Sequence, residues 1–335
     1  MPAEQIKTLA SVHKQHALIH ITFYHDYDAD NRNLNNRIFK EAQNASAQQP
    51  PIHCSLFSIH TARNRTLVGR NFDNPPCDTL LVLTRPATGY ASFAFTRLPD
   101  VGFAKGSDPV TAPFCERSDM LKASFFAADG MNEKGLVAAL AAVKPHNNNP
   151  SPDKAPCFIT LAVRHILDQA ATVEEAADIV NSYNVFDMGA ETISHHILVA
   201  DASGGAAVLE HNGTHWQVIR SATPWLVAAN SPLFARTEKE RQLVCPRYRI
   251  AATCLQKGVV TDWHSAMGLL RNIAGPPNPR NMTDWSVIYA LSDKTMYLVL
   301  NAAFDKVYRI GFPEPTQIAD PVAKIEQQAC AGRNE

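Results

Sequence analysis

Cys54, Arg70 and Asp73 are residue types that together could carry nucleophilic chemistry. A thiol attacks as the thiolate, which a fixed cation favours, while a carboxylate can hold a neighbouring donor in place. The strand pattern brings the three together. Cys54-Ser55-Leu56-Phe57-Ser58-Ile59 reads as one strand and Gly69-Arg70-Asn71-Phe72-Asp73 as a second, with the polar Arg63-Asn64-Arg65 midway between their ends. An antiparallel hairpin centred on that break puts Asp73 roughly opposite Cys54, with Arg70 a pleat repeat away. Taken singly, each residue has a bland reading. A lone cysteine at a strand start is usually a small buried hydrophobe, and an Arg–Asp pair is usually a surface ion pair worth little. The grouping is what points to a nucleophile.

The elements that must position these residues follow from the rest of the 335-residue chain. Residues 1–53 read as a separate leader, with an alternating run from His16 to Tyr24 and a linker-like Gln48-Gln49-Pro50-Pro51 just before Cys54. Beyond it, Leu80–Thr84 and Tyr90–Thr96 flank a Pro-Gly turn, and another strand spans Leu136–Val143. Helices are predicted over Phe158–Gln169 and from Thr172, where Glu175 three residues on completes a capping-box pattern. A meander follows (Ile197–Ala200, Ala206–Glu210, His215–Ile219), then a strand over Trp225–Ala229 and a helical stretch over Glu238–Gln256. Asp262 caps a helix to Asn272, and Trp285–Leu291 pairs with Thr295–Leu300. The order of strands, helices, strands, helices and strands suggests antiparallel sheets with helices on their outer faces.

Composition excludes several classes of function. With a formal net charge of −1, no global basic field exists for nucleic acid or anionic membrane. The longest apolar stretch, Gly135–Val143, is too short to span a bilayer. The first residues lack a secretory signal pattern, and seven cysteines without a CxxC pair suit free thiols in a reducing, cytoplasmic setting. His195-His196 would alternate faces on a strand, and His211 and His215 flank a turn without a carboxylate or cysteine cluster, so no metal is expected. Asn147–Pro152 reads as a surface loop, and Glu191 as a solvated carboxylate at the rim.

Several ordered segments carry a family resemblance. Besides Cys54 to Asp73 these are Asp129-Gly130-Met131-Asn132-Glu133-Lys134-Gly135-Leu136, Asp201-Ala202-Ser203-Gly204 and Ala229-Asn230-Ser231-Pro232. Cys245-Pro246-Arg247-Tyr248 and Trp285-Ser286-Val287-Ile288-Tyr289 complete the series. Over roughly residues 54–312 the chain resembles the choloylglycine hydrolase and penicillin V acylase family of N-terminal-nucleophile amide hydrolases. Within it, the chain resembles the linear-amide hydrolases near the acyl-CoA:6-aminopenicillanic acid acyltransferase-like branch more closely than the bile-salt enzymes. The resemblance implies an α+β fold, a four-layer αββα sandwich of two antiparallel sheets between helices. It implies a pro-segment over 1–53 that autocleavage would release, a catalytic domain over 54–313 and a tail over 314–335.

It also implies roles. Cys54 would become residue one, and its freed α-amino group, with an unperturbed pKa of about 7.7–8.0, would act as the base. Asp73 would hold that amine, Arg70 would steady the thiolate, Asn230 would donate to the oxyanion and Arg247 would complete the polar network. The substrate would be a small N-acyl linear amide, with no cofactor and no metal. A homo-oligomer stays open, as does an acyltransferase or an unprocessed binding protein on the same scaffold. A papain-like protease would need a histidine base, and none of the 13 histidines is marked for it. Two departures stand out. Ala142 occupies the position aligned with the family's oxyanion asparagine, so a backbone N–H near Cys54 or Ala141–Val143 would have to substitute. No methionine lies between Met1 and Cys54, so exposing the amine requires cleavage of His53–Cys54. Phe57, Phe72, Phe93 and Phe95 would permit an apolar acyl pocket.

Overall fold

A computed structural model describes residues 1–43, 53–104, 106–144, 150–188, 194–234, 236–275, 281–312 and 321–325. The chain opens with α1 (Ala3–Ala10), β1 (His13–Gln15), β2 (Leu18–Thr22) and α2 (Asp28–Ala42). Strands β3 (His53–His60), β4 (Thr66–Asn74), β5 (Thr79–Thr84), β6 (Ser92–Arg97), β7 (Asp129–Asn132) and β8 (Val137–Val143) follow. β9 (Pro156–Phe158) runs directly into α3 (Ile159–Gln169), succeeded by α4 (Val173–Asn181) and β10 (Asn184–Phe186). The meander is β11 (Ser194–Ala200), β12 (Ala206–His211) and β13 (Trp216–Ile219), after which comes β14 (Trp225–Ala228). Next are α5 (Glu238–Val244), α6 (Pro246–Gln256) and α7 (Trp263–Ile273), and finally β15 (Met282–Ala290), β16 (Thr295–Leu300) and β17 (Tyr308–Gly311).

Two large sheets face each other. One has the order β1-β2-β5-β6-β7-β8-β11-β12-β13, the other β14-β3-β4-β15-β16-β17. Side chains alternate across each pleat, so every strand feeds two cores. Phe95, Ala139 and Leu198 of the larger sheet meet Leu56, Val68 and Val287 of the smaller. On the outer face of the larger sheet, Leu140, Ile197 and Leu209 pack against Leu161 and Ile166 of α3 and Val180 of α4. Helices α6 and α7 cover the other side, where the Asn71 amide donates to the Leu270 carbonyl at 2.8 Å. This is the expected αββα sandwich. The capping box at Thr172/Glu175 is present, and Asp262 caps α7.

Two expectations are corrected. The helix predicted over Glu238–Gln256 breaks into α5 and α6 at Cys245, which is extended. Pro246 lacks an N–H and disfavours helical backbone in the residue before it. The leader is also not a detached piece. β2 pairs in parallel with β5, Ile21 beside Val82, and Leu9, Ile19, Ile21 and Phe23 share a buried cluster with Leu80, Val82 and Met120. Tyr27 adds a hydrogen bond from its hydroxyl to Asp168 Oδ2 at 2.9 Å. Of the C-terminal tail, 321–325 docks with Ile325 buried. The linker at 48–51, residues 147–149 of the polar loop and Glu191 lie outside the described residues.

His20 makes the leader acid-sensitive. Burial, with His13 and then His16 nearby, pushes it down from 6.5 to about 3. Unfolded chains therefore take up a proton that folded ones refuse, and stability falls as pH drops through 6.5 toward the folded value. The midpoint of thermal unfolding should fall between about pH 7 and about pH 4, and fall less in a His20→Leu variant, as followed by circular dichroism.

Candidate active site

The hairpin forms as expected, with a register one residue away. Cys54 lies opposite Phe72, and Asp73 opposite His53. The reversal at 61–65 is closed by the Thr61 N–H donating to the Arg65 carbonyl at 2.8 Å, with Asn64 at φ 57°, a left-handed conformation that asparagine tolerates. Cross-strand partners share a face, so Cys54, Leu56, Arg70 and Phe72 point toward the larger sheet. Ser55, Asn71 and Asp73 point toward α6 and α7. The pleat thus separates the groups around the sulfur from those around the backbone nitrogen.

On the sulfur side the protein groups are buried. Arg70 is fully buried and paired with Asp129, which comes from β7 in the opposite sheet. It also donates to the Leu140 carbonyl. Its guanidinium lies 4.7 Å from the centre of the Phe72 ring, which stacks on Trp285 at 3.9 Å. Trp285 closes the loop by donating its indole N–H to Asp129 Oδ2 at 3.1 Å. Burial pushes the Cys54 thiol up; Arg70 opposes this, Asp73 reinforces it and Arg247 opposes it more weakly, leaving the thiol raised.

On the nitrogen side a polar cage closes. β14 pairs with β3 only as far as Ala228 opposite Leu56, so the chain beyond diverges and Asn230 reaches back with its side chain. The Cys54 N–H donates to Asn230 Oδ1 at 2.7 Å. Arg247, in the first turn of α6, donates to the same oxygen at 2.8 Å and to Asp73 Oδ2 at 2.9 Å. It also reaches the Ser55 hydroxyl at 3.3 Å. Thr283 donates to Asp73 Oδ1 at 2.5 Å, and Asn230 Nδ2 donates to the Ala142 carbonyl at 2.8 Å. Behind Asn230, Glu210 accepts from the Leu233 and Phe234 N–H groups, both at 2.9 Å, and His196 lies 2.8 Å away.

The other four expected residues therefore sit around Cys54, Arg70 by the sulfur and Asp73, Asn230 and Arg247 by the nitrogen. The Asn230 amide has two hydrogens, of which one goes to the Ala142 carbonyl. Asp129, Trp285, Thr283 and Ser55 were not anticipated. Asp129 and Trp285 each open a quoted segment, and a buried arginine demands such an acid, but the burial itself is invisible in sequence.

A cavity of about 380 Å³ opens on Cys54. Its walls include Phe72, Asn74, Arg97, Leu140, Ala142 and Phe158. Of the four phenylalanines expected at an acyl pocket, Phe72 lines it, while Phe57, Phe93 and Phe95 are fully buried in the core. Phe126 and Phe158 line it instead, beside Ile159 and Thr160 at the start of α3.

The family model for acyl-coenzyme A:6-aminopenicillanic acid acyl-transferase matches residues 121–250. No curated relative matches in sequence. Among solved structures, penicillin V acylase from Agrobacterium tumefaciens is similar with a TM-score of 0.55 and 19% identity, over 77% of this chain and 86% of that one. Two variants of conjugated bile acid hydrolase from Clostridium perfringens give TM-scores of 0.58 and 0.57, each at 13% identity over 82% of this chain and 98% or 99% of theirs. The chain shares the fold of these structures, an α+β sandwich, and is similar to the penicillin V acylase and conjugated bile acid hydrolase among them. No helix among the described residues is long and apolar enough to cross a membrane.

A raised, buried thiol should resist alkylation. With iodoacetamide near pH 7.5, uncut chain should label at the exposed Cys115 many-fold faster than at Cys54, as peptide mass mapping would read. Equal labelling would contradict the buried sulfur environment.

Proposed function

We propose that this chain is a cysteine amidohydrolase that cleaves its own His53–Cys54 bond and then hydrolyses a linear N-acyl amide through a Cys54 thioester. The observation that carries the reading is that the polar cage closes on the backbone nitrogen of Cys54. Asn230 Oδ1 binds that nitrogen at 2.7 Å, and Arg247 links the asparagine to Asp73. A mid-strand N–H needs one acceptor; a freed amine needs acceptors and a nearby carboxylate.

Cleavage follows from the same atoms. Cys54 Sγ attacks the His53 carbonyl, the Cys54 nitrogen leaves carrying the thiol proton, and water hydrolyses the resulting thioester to a His53 carboxylate. In turnover the α-amine takes the thiol proton as Sγ attacks the substrate carbonyl. It returns that proton to the leaving nitrogen, and water releases the acyl group. Arg70 favours the thiolate, and the second Asn230 N–H serves the oxyanion, a donor type whose loss costs about 3 kcal/mol in transition-state stabilisation. The leader stays after the cut, because the β2–β5 ladder and the buried cluster around Phe23 do not depend on the broken bond.

The match of residues 121–250 to an acyl-transferase family favours a second reading, in which an amine replaces water as acyl acceptor. Adding amine acceptors and identifying the acyl product separates the two.

Intact mass should give two fragments meeting at His53/Cys54 that co-elute in gel filtration, and a single uncut chain for Cys54→Ala. Asp73→Asn should lower kcat on N-acyl amides by roughly 10²-fold or more. An uncut wild type whose hydrolysis equals that of Cys54→Ala would refute the proposal.

A further inference from the structure

Glu210, on β12 of the larger sheet, is a carboxylate with no exposed surface. Its two oxygens accept from the Leu233 N–H at 2.9 and 3.0 Å, and Oε1 also accepts from the Phe234 N–H at 2.9 Å. His196 of β11 brings Nδ1 to 2.8 Å from Oε2. Burial pushes the carboxyl up, but His196 and then the Phe234 and Leu233 N–H groups outweigh it, leaving Glu210 below its ordinary value. A carboxylate so deeply buried is tolerated only when it is satisfied in this way.

The stretch it holds is the one that carries Asn230. β14 stays in the ladder through Ala228, opposite Leu56, and then leaves it. Glu210 takes hold again at Leu233 and Phe234, so Asn230 lies in a short span clamped at both ends. Inside that span Pro232 has a fixed φ, and its carbonyl accepts from Arg236 at 2.6 Å. The first clamp belongs to the smaller sheet and the second to the larger. Asn230 itself joins the same two sheets. Its Oδ1 accepts from the Cys54 N–H in the smaller, and its Nδ2 donates to the Ala142 carbonyl in the larger. One side chain can meet both groups only while its backbone is held between them.

We propose that Glu210 is a positioning residue for Asn230, and that its grip on the Leu233 and Phe234 N–H groups sets the asparagine at the Cys54 nitrogen. Successive backbone N–H groups suit an anion, and here the protein supplies its own. Without the carboxylate, two buried donors must find other acceptors, and the span moves with them. The inference rests on the reading of Asn230 as the residue that serves the Cys54 amine and the oxyanion. The contact it concerns is nevertheless present before any cleavage.

The first test uses uncut Cys54→Ala protein and needs no turnover. Amide hydrogen exchange followed by NMR should show the residue 54 N–H exchanging roughly tenfold faster once Glu210→Leu is added, with the Phe57 N–H deeper in β3 within about twofold. Glu210→Asp keeps the charge but is one methylene short, and should behave like Glu210→Leu even if the leucine variant folds poorly. Glu210→Gln retains an oxygen that can accept from both N–H groups and should stay close to the parent. In the otherwise wild-type chain, once cut, Glu210→Asp should lower kcat about 10²-fold with KM within about twofold, and Glu210→Gln should restore most of it. The proposal is overturned if exchange at residue 54 is unchanged in both Glu210→Leu and Glu210→Asp, or if Phe57 loses protection to the same degree. It is equally overturned if Glu210→Gln fails as badly as Glu210→Asp, or if an active wild type keeps its kcat in Glu210→Asp. A wild type that neither cuts itself nor hydrolyses amides, with the exchange result intact, would refute the amidohydrolase reading and leave the positioning role standing.

Discussion

Arg70 carries a full positive charge with no exposed surface, and much of the site's architecture follows from making that tolerable. A buried charge left unpaired is strongly destabilising, by about 3–5 kcal/mol when one partner of a pair is removed. The partner here is Asp129 on the opposite sheet. The ion pair therefore fixes how the two sheets meet at the end where Cys54 lies. Phe72 and Trp285 form an aromatic floor for the guanidinium, and the Trp285 indole returns to the same carboxylate. Such a pair contributes more to a single defined geometry than to net stability, which suits a site whose reacting atoms need fixed separations.

The pleat then divides the labour. Odd and even positions of β3 and β4 face different layers, so the sulfur is held in a buried, cation-bearing compartment and the nitrogen in a polar one. Only at the start of β3, where β14 has already diverged, can side chains reach the backbone of Cys54. A bulge between Thr283 and Trp285 in β15 serves the same end. It lets Thr283 meet Asp73 while Trp285 keeps its place beneath Phe72.

What could be read in advance was what neighbours in sequence determine. The β3–β4 hairpin, the capping box at Thr172, the cap at Asp262 and the β11–β13 meander follow from local pattern, turn chemistry and caps. The residues around Cys54 belong to motifs far apart in the chain, and the structure brings them together with a register and partners that the motifs do not give. The one-residue register at Asp73, the Asp129 partner of Arg70 and the parallel β2–β5 ladder depend on contacts between remote segments, which periodicity does not encode. The break at Cys245 was available from Pro246 and lost to the helical character of both flanks. His195 shows the opposite limit. Alternation tells which residues of β11 face apart, but not that His195, opposite Ala142, lines the cavity that Cys54 also lines.

The leader's place beside β5 has a consequence for the behaviour of the chain in solution. β5 is buried along its whole length, Thr79-Leu80-Leu81-Val82-Leu83-Thr84. Without β2 its row of backbone donors and acceptors would lie bare on an apolar strand, a template for pairing with another chain. The leader thus acts as an edge guard, keeping the larger sheet from adding strands from its neighbours. The guard itself ends in β1, three residues long and largely exposed, too short to invite the next partner.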